Sequence, residues 1–517
     1  MERVIAELLV AIRRGSQGIA PFGHMAPFGH TAPFGHTAPS GHMAAVFVAR
    51  ALQRRRGGGI RRRNYWLGLL PTLLLAATAT MVQAQDRNVI LIIGDGMDDQ
   101  QISLARNYLV GASGKLTLDR MPLRGVSQVL TISEQGAPVY VADSANSATA
   151  MATGHVTSRG RIATSAGDGQ RLETIAQMAQ KAGIRTGIVT TSSVTDATPA
   201  SFMAHINLRY CENPGAMVDV RIRGQLLGDC SQFLVANGGP GSISRQIAQS
   251  DIDVVLGGGS HHFEPLAEGR TENVLALAVA NHFHIVNDSG ALAEAPGDGK
   301  LLGLFSPGTM PVRLRGEDGR KAEPPKRSWA NRINGYIGSV ELPAVMDCEP
   351  NPEFAGMPTL KQMTETALAR LQNERGFFLM VESASIDKQS HERKPCGSIG
   401  ELQQLEEALD SALSFAEEHP ETLILVTADH AQAAQIIPET SLFAAFGVPI
   451  YTPGSLARIR TLEGSVMGVN YATNKFSYEE HTGANVPVFS NDQGLGRVPV
   501  MLTQPEIFNI VRDYLGL

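Results

Sequence analysis

Three short, uninterrupted apolar runs constrain the fold of this chain more than any other feature. Asn88–Gly94 reads NVILIIG, Phe377–Val381 reads FFLMV, and Thr422–Thr427 reads TLILVT. Runs of this length that are rich in aliphatic and β-branched residues and end at a glycine or a polar residue are typical of strands buried on both faces.

Amphipathic helices alternate with these strands along the chain. Leu172–Ala182 carries apolar residues on one helical face, Gly183 ends it, and Ile184–Thr191 reads as the next strand. Helical patterns over Thr359–Gln372 and Gly400–Glu418 precede the two later strands. Strands that alternate with helices predict an α/β fold with a large, mainly parallel central sheet flanked by helices on both faces.

Composition narrows the class of protein and the kind of partner. The chain has 517 residues, of which 43% are hydrophobic and 18% are charged, so it can bury a large core. A formal net charge of -6 argues against a nucleic-acid partner and favours no stable membrane partner. No strong linker interrupts the residues that follow position 84. We therefore predict one domain at 85–517, with a Gly/Pro-rich insertion at about 257–347.

The first 84 residues differ from the rest. We interpret 1–60 as a low-complexity extension in which a six-residue repeat places four histidines evenly: His24, His30, His36 and His42. Such a tract suits metal capture. A translation start assigned too far upstream, with Met43 as the true start, explains the tract more simply. At 61–84, three arginines precede an apolar stretch that ends Val82-Gln83-Ala84, which is typical of an export signal. An uncleaved anchor is the alternative. We expect a periplasmic or secreted protein.

The four cysteines all lie beyond this signal, at Cys211, Cys230, Cys348 and Cys396. An even number of cysteines in an exported chain predicts two disulfides, with three connectivities open.

Acids and histidines collect where the predicted strands end. Asp95 follows the first strand, Glu382 follows the second, and Asp429 and His430 follow the third. In open α/β sheets, sites form at the carboxyl ends of strands. Each residue alone reads more simply as a turn or loop residue. Three separate strand ends delivering such side chains predict a metal site.

A second set of ligands lies further along the chain. Asp387 and His391 share one face if they are helical, and His481 lies in a loop-like setting. Mixed histidine and carboxylate ligands suit zinc, so Asp387, His391 and His481 predict one zinc site, and Asp95, Asp429 and His430 predict a second. Two metal ions close together suit phosphoryl transfer.

A nucleophile is expected in the small-residue run DSANSATA, at Ser144. The plain reading is that Asp143 or Ser144 caps a helix. A serine at a helix start also meets free backbone N–H groups and the positive end of the helix dipole, which favour its alkoxide and a bound phosphate. Arg209 is the candidate phosphate clamp, because a guanidinium group binds two phosphate oxygens at once.

Taken together, these segments resemble the alkaline phosphatases, especially the bacterial periplasmic type. The resemblance is specific because the matching motifs run in family order through nearly the whole mature chain. They are IIGDGM at 92–97, DSANSATA at 143–150, DATPASFMAHINLR at 196–209, FFLMVESASIDKQSH at 377–391, VTADH at 426–430 and EEHTG at 479–483.

The resemblance implies a role for each matching position. Ser144 would form a phosphoserine intermediate, and Arg209 would grip the substrate phosphate. The implied cofactors are two Zn²⁺ and one Mg²⁺ per subunit, with Asp387, His391 and His481 on the first zinc and Asp95, Asp429 and His430 on the second. Asp95, Thr198 and Glu382 would hold the magnesium, with Asp196 and Lys388 around it and the phosphate. Phosphate monoesters as substrates, a homodimer, and the pairs Cys211–Cys230 and Cys348–Cys396 are implied as well.

Two positions depart from the family pattern. Ser383 replaces the glycine usual after the magnesium glutamate, and Ser390 replaces an acidic residue beside His391. Two alternatives stay open on the sequence alone: a phosphodiesterase or sulfatase of the same superfamily, and a non-catalytic phosphate- or metal-binding protein. The intact ligand set and Ser144 favour a phosphomonoesterase that is active at alkaline pH.

Overall fold

A computed structural model describes residues 87–222, 224–439 and 441–517. The N-terminal extension and the export signal predicted from the sequence lie outside these residues. Within them, no helix combines the length and the apolar character that crossing a bilayer requires.

A ten-stranded sheet forms the centre of the fold. Its strands in chain order are β1 Asn88–Gly94, β2 Leu123–Gln128, β3 Arg185–Ser193, β4 Val254–Gly258, β5 Phe283–Val286, β6 Lys300–Leu304, β7 Phe377–Ser383, β8 Thr422–Ala428, β9 Val486–Ser490 and β10 Met501–Thr503. Their order across the sheet is β10-β2-β9-β8-β1-β7-β3-β4-β6-β5. Only β9 runs antiparallel to its neighbours, so the sheet is mainly parallel, as predicted.

The helices of the described residues are α1 Asp99–Leu109, α2 Ser144–Thr153, α3 Ile175–Lys181, α4 Ala197–Met203, α5 Ile243–Ala248, α6 Val274–Ala280, α7 Ser289–Ala293, α8 Trp329–Ile333, α9 Leu360–Leu371, α10 Ser385–His391, α11 Pro395–Glu418 and α12 Gln504–Leu515. Helices cover both faces of the sheet. In β1, Val89 and Leu91 belong to the core on one face, and Ile90 and Ile92 belong to the core on the other. Burial on both faces explains why this strand is apolar at every position.

The predicted insertion at about 257–347 divides into two parts. Its first part contributes β5 and β6, which form one edge of the central sheet. Strands of four and five residues give little periodicity, which is why the sequence pattern did not reveal them. Its second part forms short pairs, with Leu314–Gly316 against Cys348–Pro350 and Lys326–Arg327 against Val340–Glu341.

A smaller sheet has four strands, in the order Val345–Met346, Ser455–Arg460, Val466–Tyr471 and Gln435–Ile437. Two further hairpins pair Thr131–Ile132 with Pro138–Val139 and Val220–Ile222 with Gln225–Gly228. The disulfides are Cys211–Cys230 and Cys348–Cys396, as the family resemblance implied.

Candidate active site

The site forms where three neighbouring central strands end together. In the register of the sheet, Gly94 of β1 faces Ala428 of β8 on one side and Ser383 of β7 on the other. Asp95 directly follows the end of β1, and Asp429 directly follows the end of β8. Glu382 lies one residue before the end of β7. The parallel sheet thus brings three acidic residues from distant parts of the sequence together at the carboxyl ends of its strands.

A tight turn after β1 lets another segment approach. Gly96 has a φ of +67° and donates its backbone N–H to Asp429 Oδ1 at 3.0 Å. A Cβ at this position would lie 3.1 Å from the Cβ of Asp387. Glycine therefore supplies both the left-handed backbone and the space that bring Asp387 against the end of β1.

Asp387, His391 and His481, which we call the anchored group, lie with ligand atoms within 4.8 Å of one another. His391 Nε2 is 3.2 Å from Asp387 Oδ2, and His481 Nε2 is 3.4 Å from Asp387 Oδ1. Asp387 and His391 come from α10, at the spacing of one helical turn, while His481 comes from a loop.

The two histidines of the anchored group face each other through their Nε2 atoms. His391 Nδ1 contacts the carbonyl oxygen of Glu479, and His481 Nδ1 contacts that of Ala142 at 2.9 Å. A carbonyl oxygen only accepts, so both Nδ1 atoms carry hydrogen, and each ring that carries a single proton presents a bare Nε2. These two Nε2 atoms are 2.9 Å apart, an arrangement that a bound cation stabilises.

Asp95, Asp429 and His430, which we call the buried group, are at most 3% exposed. His430 Nε2 lies 3.4 Å from Asp95 Oδ1 and 3.3 Å from Asp429 Oδ2. Both carboxylate oxygens and His430 Nδ1 are buried without a hydrogen-bond partner. Because buried polar atoms are nearly always paired, these atoms fit a cation. Asp387 also lies within reach of Asp95 and His430, so it borders both groups.

The two groups differ in their electrostatics. Burial alone would raise the pKa of Asp387, but His391 and His481 outweigh it and hold this pKa well below its ordinary value. Burial, followed by the charge of Asp429, raises the pKa of Asp95 well above its ordinary value. Burial likewise raises the pKa of Asp429 to about 6, and burial and His481 lower that of His430. In the buried group, the effect of burial therefore outweighs that of the neighbouring cationic side chains.

A third set of oxygen atoms lies beside Asp95. Burial raises the pKa of Glu382 to about 7, and the carboxylate accepts hydrogen bonds from Thr190 and Ser192. The hydroxyl of Thr198, on α4, is buried and forms no hydrogen bond of good geometry. Asp95, Thr198 and Glu382 offer only oxygen ligands, which suits magnesium.

Ser144 is the first residue of α2. Asp143 caps this helix by accepting from the backbone N–H of Asn146. In return, the side-chain oxygen of Asn146 accepts from the backbone N–H of Asp143. Ser144 is 3% exposed, and its Oγ lies 3.2 Å from Nε2 of His430. Asp143 thus satisfies the helix start, while Ser144 faces the buried group.

Arg209 lies beside the residue that caps the same helix, Asp143. Its Nη2 donates to Asp196 Oδ1 at 2.8 Å, and its Nη1 lies 3.5 Å from Asp143 Oδ2. Lys388 donates to the other oxygen of Asp196. Burial opposes ionisation of Asp196, but Lys388 and Arg209 keep its pKa below its ordinary value. Two cations are therefore fixed beside Ser144 and the metal-ligand candidates.

Three contacts of the site were not predicted from the sequence. Asp143 helps to hold Arg209, Gln432 donates from Nε2 to Asp387 Oδ1, and Glu479 accepts from His391 through its carbonyl group. The only available signal was proximity, because these residues lie within two positions of Ser144, His430 and His481.

The two departures from the family pattern are buried anchoring residues. Ser383 donates to the backbone carbonyl of Glu401 at 2.9 Å and thereby ties β7 to α11. Ser390 accepts from Gln101 Nε2 at 2.6 Å and donates to the carbonyl of Ile386. Neither hydroxyl occupies a ligand position.

Comparison with known proteins places this chain in a family. The family model for alkaline phosphatase matches residues 86–493. Alkaline phosphatase from Escherichia coli K12 is 38% identical over 442 residues, covering 83% of this chain and 86% of the relative. Streptomycin-6-phosphate phosphatase from Streptomyces griseus is 38% identical over 474 residues, covering 88% and 98%.

Solved structures agree on the fold. Thermus thermophilus alkaline phosphatase aligns with a TM-score of 0.57 at 21% identity, covering 87% of this chain and 96% of that one. Alkaline phosphatase from the Antarctic bacterium TAB5 aligns with a TM-score of 0.56 at 23% identity, covering 84% and 99%. The chain belongs to the alkaline phosphatase family, whose members are metal-dependent, and it hydrolyses phosphate monoesters.

Proposed function

We propose that the chain hydrolyses phosphate monoesters by nucleophilic attack of Ser144 and a phosphoserine intermediate. The observation that carries this proposal is the place of Ser144 Oγ, which lies at the start of α2 and 3.2 Å from His430 Nε2. The free N–H groups and dipole of a helix start stabilise both an alkoxide and a phosphate.

We propose that each subunit holds two Zn²⁺ and one Mg²⁺. The anchored group and the buried group, each with nitrogen and oxygen ligands, would each hold one zinc, and Asp95, Thr198 and Glu382 would hold the magnesium. When bound, these ions supply Lewis acidity that lowers the pKa of hydroxyl groups and offsets negative charge on phosphate oxygens.

The residues of the chain then divide the reaction between them. Ser144 Oγ loses its proton and bonds to phosphorus, while the ester oxygen leaves with the electron pair of the broken P–O bond and takes up a proton to give the alcohol. A water molecule next attacks the same phosphorus, the bond to Oγ breaks, and a proton from that water restores the hydroxyl group of Ser144. Arg209 holds two phosphate oxygens through both steps, because its guanidinium group already stands at the start of α2. Asp196 and Lys388 position Arg209 and the magnesium ligands.

Replacing Ser144 tests the proposal directly. Ser144→Ala should lower kcat for 4-nitrophenyl phosphate by at least about 10³-fold, since removing a nucleophile leaves only binding and electrostatic stabilisation. Ser147→Ala is the matched control, because Ser147 is a buried serine of the same helix and its change should leave kcat nearly intact. Mass spectrometry after an acid quench should find phosphate on Ser144. Equal rates for Ser144→Ala and the wild type would refute nucleophilic attack by this residue.

The substrate range is open to the same assays. The relative from Streptomyces griseus is named for one natural monoester, streptomycin 6-phosphate. Rates on 4-nitrophenyl phosphate, its diester and its sulfate rank the superfamily activities. A preference for the diester would overturn the assignment of the monoester as the preferred substrate.

We also propose an exported homodimer. Two disulfides within the described residues suit an oxidising compartment, which agrees with the export signal proposed at 61–84. Cell fractionation and light scattering on the purified protein test the periplasmic or secreted location and the dimer separately.

A further inference from the structure

We infer that Tyr478 is a specificity-determining residue that contacts the leaving group and favours phosphate monoesters of aromatic alcohols. This inference rests on the proposed function, because it needs a phosphate held between Ser144 and the anchored group. Nothing in the family motifs marks this residue, which lies three positions before His481.

Tyr478 lies at the end of a series of contacts between side chains. The series begins at the hydroxyl group of Ser144 and continues through three histidine rings. Ser144 Oγ is 3.2 Å from His430, and the rings of His430 and His481 stack at 3.6 Å between centroids. The rings of His481 and His391 are 4.7 Å apart, and Tyr478 stacks on His391 at 4.3 Å with an interplanar angle of 15°. The series leads from the nucleophile through the histidines of both groups to Tyr478, which we place on the far side of the site.

In-line displacement places the leaving group on that far side. When Ser144 Oγ attacks phosphorus, the leaving oxygen departs roughly opposite to it. In the proposed function this oxygen lies beside the anchored group, which includes His391. The organic part of the ester then extends past His391, where Tyr478 is 38% exposed.

Hydrogen bonds fix the backbone of the loop that carries Tyr478, and the ring itself is stacked on His391. Asn474 Nδ2 donates to the carbonyl oxygen of Tyr478 at 3.1 Å. Arg393 donates from Nε to the buried carboxylate of Glu479 at 2.6 Å and from Nη2 to the carbonyl oxygen of Phe476 at 2.7 Å. A ring fixed before the substrate arrives loses little entropy on contact.

The Tyr478 ring offers an uncharged aromatic surface to the organic part of the ester. A neutral aromatic ring attracts a planar aromatic leaving group through stacking and apolar contact without repelling the phosphate. A small aliphatic leaving group gains much less from the same surface.

Substrate pairs measure this contribution. We expect Tyr478→Ala to lower kcat/KM for 1-naphthyl phosphate about 3- to 10-fold more than kcat/KM for glycerol 2-phosphate, the range typical of one aromatic contact. Tyr478→Phe keeps the ring and should keep the wild-type ratio. Tyr336→Ala is the matched control, because Tyr336 is 78% exposed on the separate segment between Trp329–Ile333 and Val340–Glu341.

Two further readouts separate recognition of the leaving group from support of His391. The inhibition constant of inorganic phosphate and the zinc content should not change in Tyr478→Ala, since phosphate has no leaving group. A loss of zinc or of phosphate affinity would overturn the inference and make Tyr478 a support of His391. In the wild type, phenylphosphonate should bind several-fold more tightly than methylphosphonate by calorimetry, and this measurement needs no variant to fold.

The outcomes also separate this inference from the proposed function. If the wild type hydrolyses both esters and Tyr478→Ala lowers both rates equally, or if the two phosphonates bind equally, only the inference about Tyr478 fails. If Ser144→Ala remains active, the proposed mechanism fails.

Discussion

The anchored group and the buried group meet at the carboxyl ends of the central strands, where Asp387 belongs to the first group and borders the second. Their ligand atoms are nevertheless held differently. In the anchored group, backbone carbonyls fix both histidine rings, and one carboxylate lies between two imidazoles. In the buried group, two carboxylates face one histidine whose Nδ1 has no partner.

The two groups therefore differ in how much of their negative charge a bound cation would have to offset. In the anchored group, the two histidines offset the charge of Asp387 when they are protonated, so the pKa of Asp387 is low. The buried group holds two acids with raised pKa values beside a histidine with a lowered pKa, so a bound cation would stabilise the ionised form of both acids. Changes in the buried group should therefore affect activity most, and changes around the anchored group should affect metal affinity more gradually.

Removing one charge from the buried group should have the largest effect. Asp95→Asn should lower kcat/KM by at least about 10³-fold, because a metal ion provides several kcal/mol of transition-state stabilisation. In the metal-free protein the same change removes repulsion with Asp429, so thermal unfolding at pH 8 should occur no lower than in the metal-free wild type. Zinc content, kcat/KM and calorimetry measure these opposite effects.

Asp98→Asn is the control for this prediction. Asp98 lies in the same loop and caps α1 by accepting from the backbone N–H groups of Gln100 and Gln101. Asparagine caps helices about as well as aspartate, so activity should change little. A similar loss of activity in both variants would mean that the loop, and not the charge of Asp95, limits the reaction.

A buried acid outside both groups tests whether burial alone raises these pKa values. Glu401, on α11, accepts from Gln404 Nε2 at 2.7 Å, and burial raises its pKa to about 7. The protonated form is favoured in the folded state, so its contribution to stability is complete below about pH 4.5 and is lost as pH rises through about 7. Glu401→Gln should therefore remove up to about 3 kcal/mol of the pH dependence of unfolding.

Urea unfolding of the metal-free proteins at pH 5 and pH 8 measures this difference, because chelation removes any contribution of bound ions. The wild type should lose more stability than Glu401→Gln between the two values. Equal losses would show that water reaches Glu401, and they would weaken the argument that burial raises the pKa of Asp95 and Asp429.

The sequence predicted the buried group and the helical half of the anchored group better than the surrounding contacts. Buried strands have a recognisable pattern, and parallel strands end at one edge, so Asp95 and Asp429 could be placed together. Asp387 and His391 are one turn apart on α10. His481 could be joined to them only by its motif, because 90 residues separate it from His391.

Contacts that depend on tertiary packing left no trace in the sequence pattern. Gln432 contacts Asp387, and Glu479 contacts Arg393, because loops after β8 and before β9 fold over α10. The strands β5 and β6 were likewise missed, since short edge strands carry little periodicity.

Loosening the support of the anchored group should have the smallest of the three effects. Glu479 is buried, accepts from Arg393 Nε at 2.6 Å and from the backbone N–H of Thr473 at 2.6 Å, and presents its carbonyl group to His391. Glu479→Ala releases this carbonyl group, so zinc affinity should fall about 10- to 100-fold, as for other residues that orient metal ligands. Glu480→Ala, the exposed neighbour, should leave affinity unchanged. Competition with a zinc chelator measures both variants. If Glu479→Ala kept wild-type affinity, the carbonyl group of residue 479 would not be what holds the ring of His391, and the contrast between the two groups would rest on charge and not on backbone anchoring.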